Sequence, residues 1–322
     1  MSLRGQINVV EIRHCKGEMR LESVNNPLAA GRWMMMGVLL IALIDNFVGQ
    51  LSAHISLWQF FLVRMLMALP LVALLSQLGM GTIRPQRIGR VMIRGTLVAV
   101  AMLFYFGSLG FITISQALAG LFTSPIFVLL ISVFLLKKPV GVWRITAVII
   151  GFWGILAVIG PNFSTMGWTS LLPLMGGVFY ACGVIATREL CAGESTLTMV
   201  WSMFVMQGVF SAIALLGLGL FDFPVPEGSD GFLLRPWVWD MSPVIWIIVV
   251  QAVGSVVGVF FMVRAYQLAD ATYVAVFEYM IFIFGPLFAY LLWKQGIGWA
   301  EGLGIGMIAA SGIIIAFRSP SA

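Results

Sequence analysis

Three ionisable side chains, Asp45, Arg64 and Glu278, stand inside long apolar runs of this chain. A central Asp or Arg costs about 2.5–3.5 kcal/mol to insert into a bilayer, so such a residue is usually paired or turned toward a cavity. Asp45 and Arg64 lie on either side of the short connector Ser52-Ala53-His54-Ile55-Ser56. At a rise of about 1.5 Å per residue, both would sit roughly 9–10 Å from the same membrane boundary. Antiparallel neighbours at matching depth could form an ion pair. That pair would either fix a helical hairpin or offer a contact for which a solute or a proton competes. Glu278, in Val276-Phe277-Glu278-Tyr279, has no basic residue at its expected depth. It either meets a cationic solute or exchanges a proton, or else makes a neutral contact between helices. Tyr105, Gln251 and Tyr279, with Tyr180, Gln207, Trp246 and Tyr266, add ring faces and amides suited to a planar or amphiphilic solute. Any single aromatic residue is also what ordinary packing would place there. The candidate solute contacts are Asp45, Arg64, Tyr105, Gln251, Glu278 and Tyr279.

Catalytic chemistry has little to work with. The two histidines, His14 and His54, fall in a polar tail and a connector, and Cys15, Cys182 and Cys191 have no metal-ligand spacing. No Walker loop or nucleophile elbow is present, and the glycine-rich stretches lie within apolar runs. No catalytic residue, metal or cofactor is expected, and any pumping would have to draw on a gradient.

The elements that position these groups follow from composition. Of 322 residues, 61% are hydrophobic and 10% charged, with mean hydropathy +1.03. A soluble domain carries about 25% charged residues. The apolar runs are continuous rather than alternating, which selects helices over a barrel. Spans are expected at 33–51, 57–78, 91–110, 116–136, 143–160, 169–187, 197–220, 242–263, 272–293 and 299–317. With the N-terminus inside, fifteen Lys and Arg fall on the inner side against Arg235 and Lys294 outside, and Arg64 lies within a span. That bias predicts both termini in the cytoplasm. The net charge of +5 therefore encodes topology rather than nucleic-acid binding.

Offsetting the chain by 157 residues pairs Ile126 with Ile283, Phe127 with Phe284, Leu130 with Leu287, Leu135 with Leu292, Lys137 with Lys294 and Gly141 with Gly298. Two halves of five spans each have opposite orientation, because five is odd. The predicted fold is an all-α membrane protein of ten transmembrane helices in two inverted five-helix repeats, with a solute site between them near the midplane. The boundaries are a cytoplasmic tail over 1–32, a first unit over 33–160 and a second over 169–318. Gly254, Gly258, Gly302, Gly304 and Gly306 are expected to let helices approach closely. Pro125 and Pro286 interrupt spans four and nine, either as packing kinks or to free carbonyls toward a cavity.

The stretch Arg264-Ala-Tyr-Gln-Leu-Ala-Asp-Ala-Thr-Tyr-Val-Ala-Val-Phe-Glu-Tyr279 resembles the Arg-Ala-Tyr and Phe-Glu-Tyr run of the drug/metabolite transporter superfamily with paired EamA domains. Arg94-Gly95, Phe122-Thr123-Ser124-Pro125, Asp45, Gln59 and Arg64 fit the same pattern. Two positions depart from it. Gly49-Gln50 stands where many relatives carry a Lys, which favours an Asp45–Arg64 pair, and Lys138 and Gln295 replace a Gly-Glu step. The resemblance implies alternating access for a small organic metabolite such as an amino acid, riboflavin or S-adenosylmethionine in a bacterial-type inner membrane. Its partners would be the solute and the lipid bilayer, with protons as a candidate coupling ion and no nucleic acid. The competing readings are a passive channel or facilitator, and an integral-membrane enzyme or scaffold.

Overall fold

The computed structural model describes residues 26–108, 114–159, 171–221, 223–294 and 298–318. The described residues contain helices and no strand. Most of the polar tail predicted over 1–32, with His14 and Cys15, lies outside them.

The first half contains α1 (Pro27–Asp45), α2 (Leu57–Gln77), α3 (Ile88–Ser108), α4 (Ile114–Leu121), α5 (Ser124–Leu130, continued as one π turn over Ile131–Leu135) and α6 (Val142–Ile159). The second contains α7 (Leu171–Glu189), α8 (Thr196–Leu220), α9 (Ile245–Leu268), α10 (Ala271–Val274), a 3₁₀ stretch over Ala275–Met280, α11 (Ile281–Trp293) and α12 (Trp299–Arg318). Span four is thus α4 plus α5, and span nine is α10 to α11. Among the described residues, seven segments are long and apolar enough to cross a membrane, and Ser124–Leu135, Val142–Ala157 and Gly302–Ile314 are shorter apolar helices at the other three expected positions.

Local chemistry sets the ends. Asn26 accepts from the Ala29 amide at 3.1 Å, and Pro27 supplies a preset first turn. Helix α1 therefore starts six residues before the expected span and ends at Asp45. Residues Val48–Gln50 form a separate 3₁₀ turn, although their apolar neighbours Phe47 and Leu51 read as a continuing helix. Ser56 caps α2 through the Gln59 amide at 3.2 Å.

The packing carries the inverted repeat. Spans one and eight pack as α1 on α9, and spans three and six as α3 on α7; each pair becomes the other when spans are shifted by five. Spans two and seven (α2 on α8) and five and ten (α6 on α12) pack on their own counterparts. Among the described residues, the two non-glycine residues with positive φ are Lys137 (52°) and Lys294 (56°). They are the pair that the 157-residue offset aligns, and each closes a discontinuous span in the left-handed conformation.

The expected glycine contacts divide. Gly254 meets Ile44, Gly258 meets Ile41, and Gly37 faces the Gly258 carbonyl and Met262, which brings α1 and α9 together. Gly154 faces the Gly304 carbonyl at the α6–α12 contact. Gly302 and Gly306 correct the expectation, because a side chain there would meet open space. A helix of 3.6 residues per turn cannot aim all three of these positions at one neighbour. The exterior is apolar, with Leu66, Leu74, Trp153, Ile213, Leu216 and Leu220 exposed, while Arg64, Arg94, Gln207, Gln251 and Glu278 are buried. That distribution suits lipid outside and polar chemistry inside.

Candidate functional site

Glu278 lies in the 3₁₀ stretch between α10 and α11. The discontinuity of span nine therefore falls at the acid, eight residues before Pro286, which sits inside the intact α11. Span four also breaks, between Leu121 and Ser124, and Pro125 then opens α5. The two breaks face each other, and Ser124 at the start of α5 sits beside the Glu278 carboxyl. Glu278 is 0% exposed, and the Tyr180 hydroxyl of α7 donates to its Oε1 at 2.7 Å. Its Oε2, the buried Tyr266 and Tyr279 hydroxyls and Ser124 Oγ make no close hydrogen bond. Tyr266, on α9, lies close enough to interact with Glu278. Spans four, six, eight and nine therefore converge on one carboxyl, bonded by Tyr180 and flanked by the Tyr266 and Ser124 hydroxyls. Tyr279 points elsewhere and lays its ring on Gly151 of α6.

A second group lies where the first hairpin meets α8 and α9. Arg64 is 4% exposed, and its Nη2 donates to Gln207 Oε1 of α8 at 2.8 Å. Its guanidinium stands 4.8 Å from the Phe60 ring centre, 4.7 Å from Phe61, 5.8 Å from Phe106 and 5.6 Å from Phe204. Such ring faces attract a cation, by about 2 kcal/mol or more where water is excluded. The direct Asp45–Arg64 ion pair is not formed. Among the described residues the ion pairs within 4.0 Å are Lys138–Glu189 and Arg144–Asp270. The physical reason is the early end of α1: Asp45 is its last residue, and Gln251 of α9 reaches over to the Ile44 carbonyl (2.9 Å) and Asp45 Oδ1 (3.4 Å). Asp45 remains near enough to feel both Arg64 and the buried Tyr105 electrostatically. Arg64 Nε and Gln207 Nε2, both donors, have no partner.

All six predicted residues are therefore in the interior or bordering it, but in separate surroundings: Asp45, Arg64, Tyr105 and Gln251 in one group, Glu278 in the other, and Tyr279 behind Glu278. Sequence reasoning gave no role to Phe60, Phe61, Phe106 and Phe204. The first two were findable, since they stand four and three residues before Arg64 on one helix and share its face. Phe106 and Phe204 come from other helices and left no local signal.

The comparisons bear on this arrangement. The EamA-like transporter family matches over 30–160 and again over 167–317. The chain belongs to the EamA-like transporter family. It is a multi-pass membrane protein of the drug/metabolite transporter superfamily. Similar proteins include a riboflavin transporter of Rhizobium johnstonii, 26% identical over 82% of this chain and 80% of the relative. A pseudopaline exporter of Pseudomonas aeruginosa is 27% identical over 69% and 72% of the two chains. An S-adenosylmethionine uptake transporter of Rickettsia bellii is 20% identical over 76% of each. A solved crystal structure covers 92% of this chain and 100% of its own at a TM-score of 0.72; at 16% identity this shows the same fold.

Proposed function

We propose that the protein is a secondary transporter that moves a small organic metabolite across a bacterial-type inner membrane by alternating access, with Glu278 as the central solute or proton contact. The carrying observation is Glu278 itself. It is buried at the break of span nine, bonded by Tyr180 through one oxygen, with the otherwise unpaired Tyr266 and Ser124 hydroxyls beside the carboxyl and no close bond made to the other oxygen. An unmet buried polar atom costs about 1–3 kcal/mol, so the arrangement favours a ligand or proton that completes it in part of the cycle. The Arg64 group supplies the complementary chemistry, since its unmet Nε and Gln207 Nε2 are donors suited to a carbonyl or carboxylate.

Riboflavin is the first solute to test. Relatives in Rhizobium johnstonii and Vibrio cholerae carry that function in their names, and a planar, amphiphilic ring with carbonyls suits the aromatic and donor groups here. In proteoliposomes, riboflavin preloaded inside should accelerate entry of labelled riboflavin, the counterflow that a carrier shows and a simple pore does not. Glu278→Gln should abolish this flux, or its pH dependence, while the variant remains folded in the membrane. Flux that is unaltered in the variant across pH would sink the role of Glu278. A metabolite panel that includes amino acids and S-adenosylmethionine covers the alternatives.

A further inference from the structure

The connectors on the two faces of the molecule are clasped in matching ways. On the face where α1 begins, the connector 78–87, between α2 and α3, docks on the connector 190–195, between α7 and α8. The Thr82 amide donates to Ser195 Oγ at 3.1 Å, and Thr198 Oγ1 donates to the Thr82 carbonyl at 2.7 Å. Glu194 strengthens this clasp by accepting from the Gln86 amide at 3.0 Å and the Arg87 amide at 2.7 Å. On the opposite face, residues 223–244 before α9 dock on the connector 46–56, between α1 and α2. There the Val238 amide donates to Gln59 Oε1 at 2.9 Å, and Gln59 Nε2 donates to the Val238 carbonyl at 2.6 Å. Arg235 Nη1 adds bonds to the Ser52 and Ile55 carbonyls at 3.0 and 3.1 Å.

These clasps are counterparts under the inverted repeat. Shifting spans by five turns α2 into α8 and α3 into α9, and α7 back into α1. Gln59 and Thr198 are each the third residue of their helix, after a serine (Ser56, Ser195) that immediately precedes it. Both are 0% exposed, and each clasp holds the N–H and C=O of a single residue on the opposing connector. Both are closed in this structure.

We infer that the two clasps are the opposing gates of the transporter, hooked at Thr82 on one face and Val238 on the other, and coupled so that releasing one favours the closed form of the other. The inference rests on the alternating-access reading above. Halves that rock about a central site cannot part at both faces at once, so breaking bonds that belong to one closed face shifts the population toward the state in which the other is closed.

Residue-resolved hydrogen exchange on the purified full chain in nanodiscs tests this. Thr198→Val keeps the volume and removes the hydroxyl; Gln59→Met does the same for the amide. Thr198→Val should speed exchange of the Thr82, Gln86 and Arg87 amides about tenfold and slow that of the Val238 amide. Gln59→Met should give the mirror result. A rise confined to the altered face, or a rise on both faces, would overturn the coupling. If either variant fails to purify as a folded protein, Glu194→Gln on the first face and Arg235→Lys on the second replace it with the same reciprocal expectation. Riboflavin counterflow separates the two readings. Reciprocal exchange in the variants, with no counterflow of any panel solute by the wild type, supports the coupled clasps and counts against the carrier. Intact counterflow without reciprocal exchange does the opposite.

Discussion

At the residue scale, the Glu278 and Arg64 centres of the interior have opposite demands. Glu278 presents a carboxyl ringed by hydroxyls, and the Arg64–Gln207 pair presents unmet donors. Tyr180→Phe should weaken transport by about tenfold, because it removes one hydrogen bond to a carboxyl and leaves the ring in place. The check is the concentration dependence of counterflow, which should shift more than the amount of protein in the membrane. Gln207→Leu should leave Arg64 Nη2 without its partner and cost roughly 1–3 kcal/mol, seen as a lower thermal midpoint of the purified protein. Arg64→Lys should fare no better, since an ammonium cannot both reach Gln207 and spread its charge over four rings. The burial of Arg64 and Glu278 and the partial burial of Asp45 were legible in the sequence, because charge within apolar runs has few other places to go. Their partners were not. The expectation of an Asp45–Arg64 pair rests on equal depth and on the absence of a Lys at Gly49-Gln50, and neither fixes the direction in which a side chain leaves its helix.

At the element scale, the ten spans could be read in the sequence because each needs an uninterrupted apolar stretch. The register of span one was misplaced by six residues, because hydropathy outweighed the Asn26-Pro27 start signal. The breaks were half legible. Pro125 does open α5, but the interruption of span nine lies at the acid-bearing 3₁₀ stretch, where no Gly or Pro marks it. Asp270 shows how that span is anchored. Burial disfavours its charged form, but the Thr272 hydroxyl and amide, Arg144 and Lys138 outweigh this and hold it below the ordinary carboxylate range. A depressed carboxylate contributes stability above its unfolded value and loses it as pH falls through the folded one. Stability from this contact should therefore be level between pH 7 and pH 5 and decline only below about pH 4. Asp270→Ala also removes the cap of α10 and should cost about 1 kcal/mol, whereas Asp270→Asn should cost less. The order of thermal midpoints, wild type above Asn above Ala, checks this. Glycine gives a sharper contrast. Gly254→Leu should overpack the α1–α9 contact by about 1–3 kcal/mol and lower the yield of monodisperse protein, while Gly302→Leu should behave as wild type.

At the scale of the whole molecule, orientation is carried by surface charge and closure by the connectors. The basic bias predicts a cytoplasmic C-terminus, so a fluorescent-protein fusion there should glow and an alkaline-phosphatase fusion should stay inactive. The reverse pattern would overturn the assigned faces. The clasps were beyond the sequence reading, since they join backbone groups to side chains more than a hundred positions away. The self-paired contacts α2 on α8 and α6 on α12 have one more consequence. A polypeptide interrupted between Ile159 and Leu171 would leave each fragment a partner helix at both seams, together with the α1–α9 and α3–α7 contacts. Two separately translated fragments would then be each other's missing folding surface. Neither alone could cover its inner faces, but together they should reassemble into a working whole.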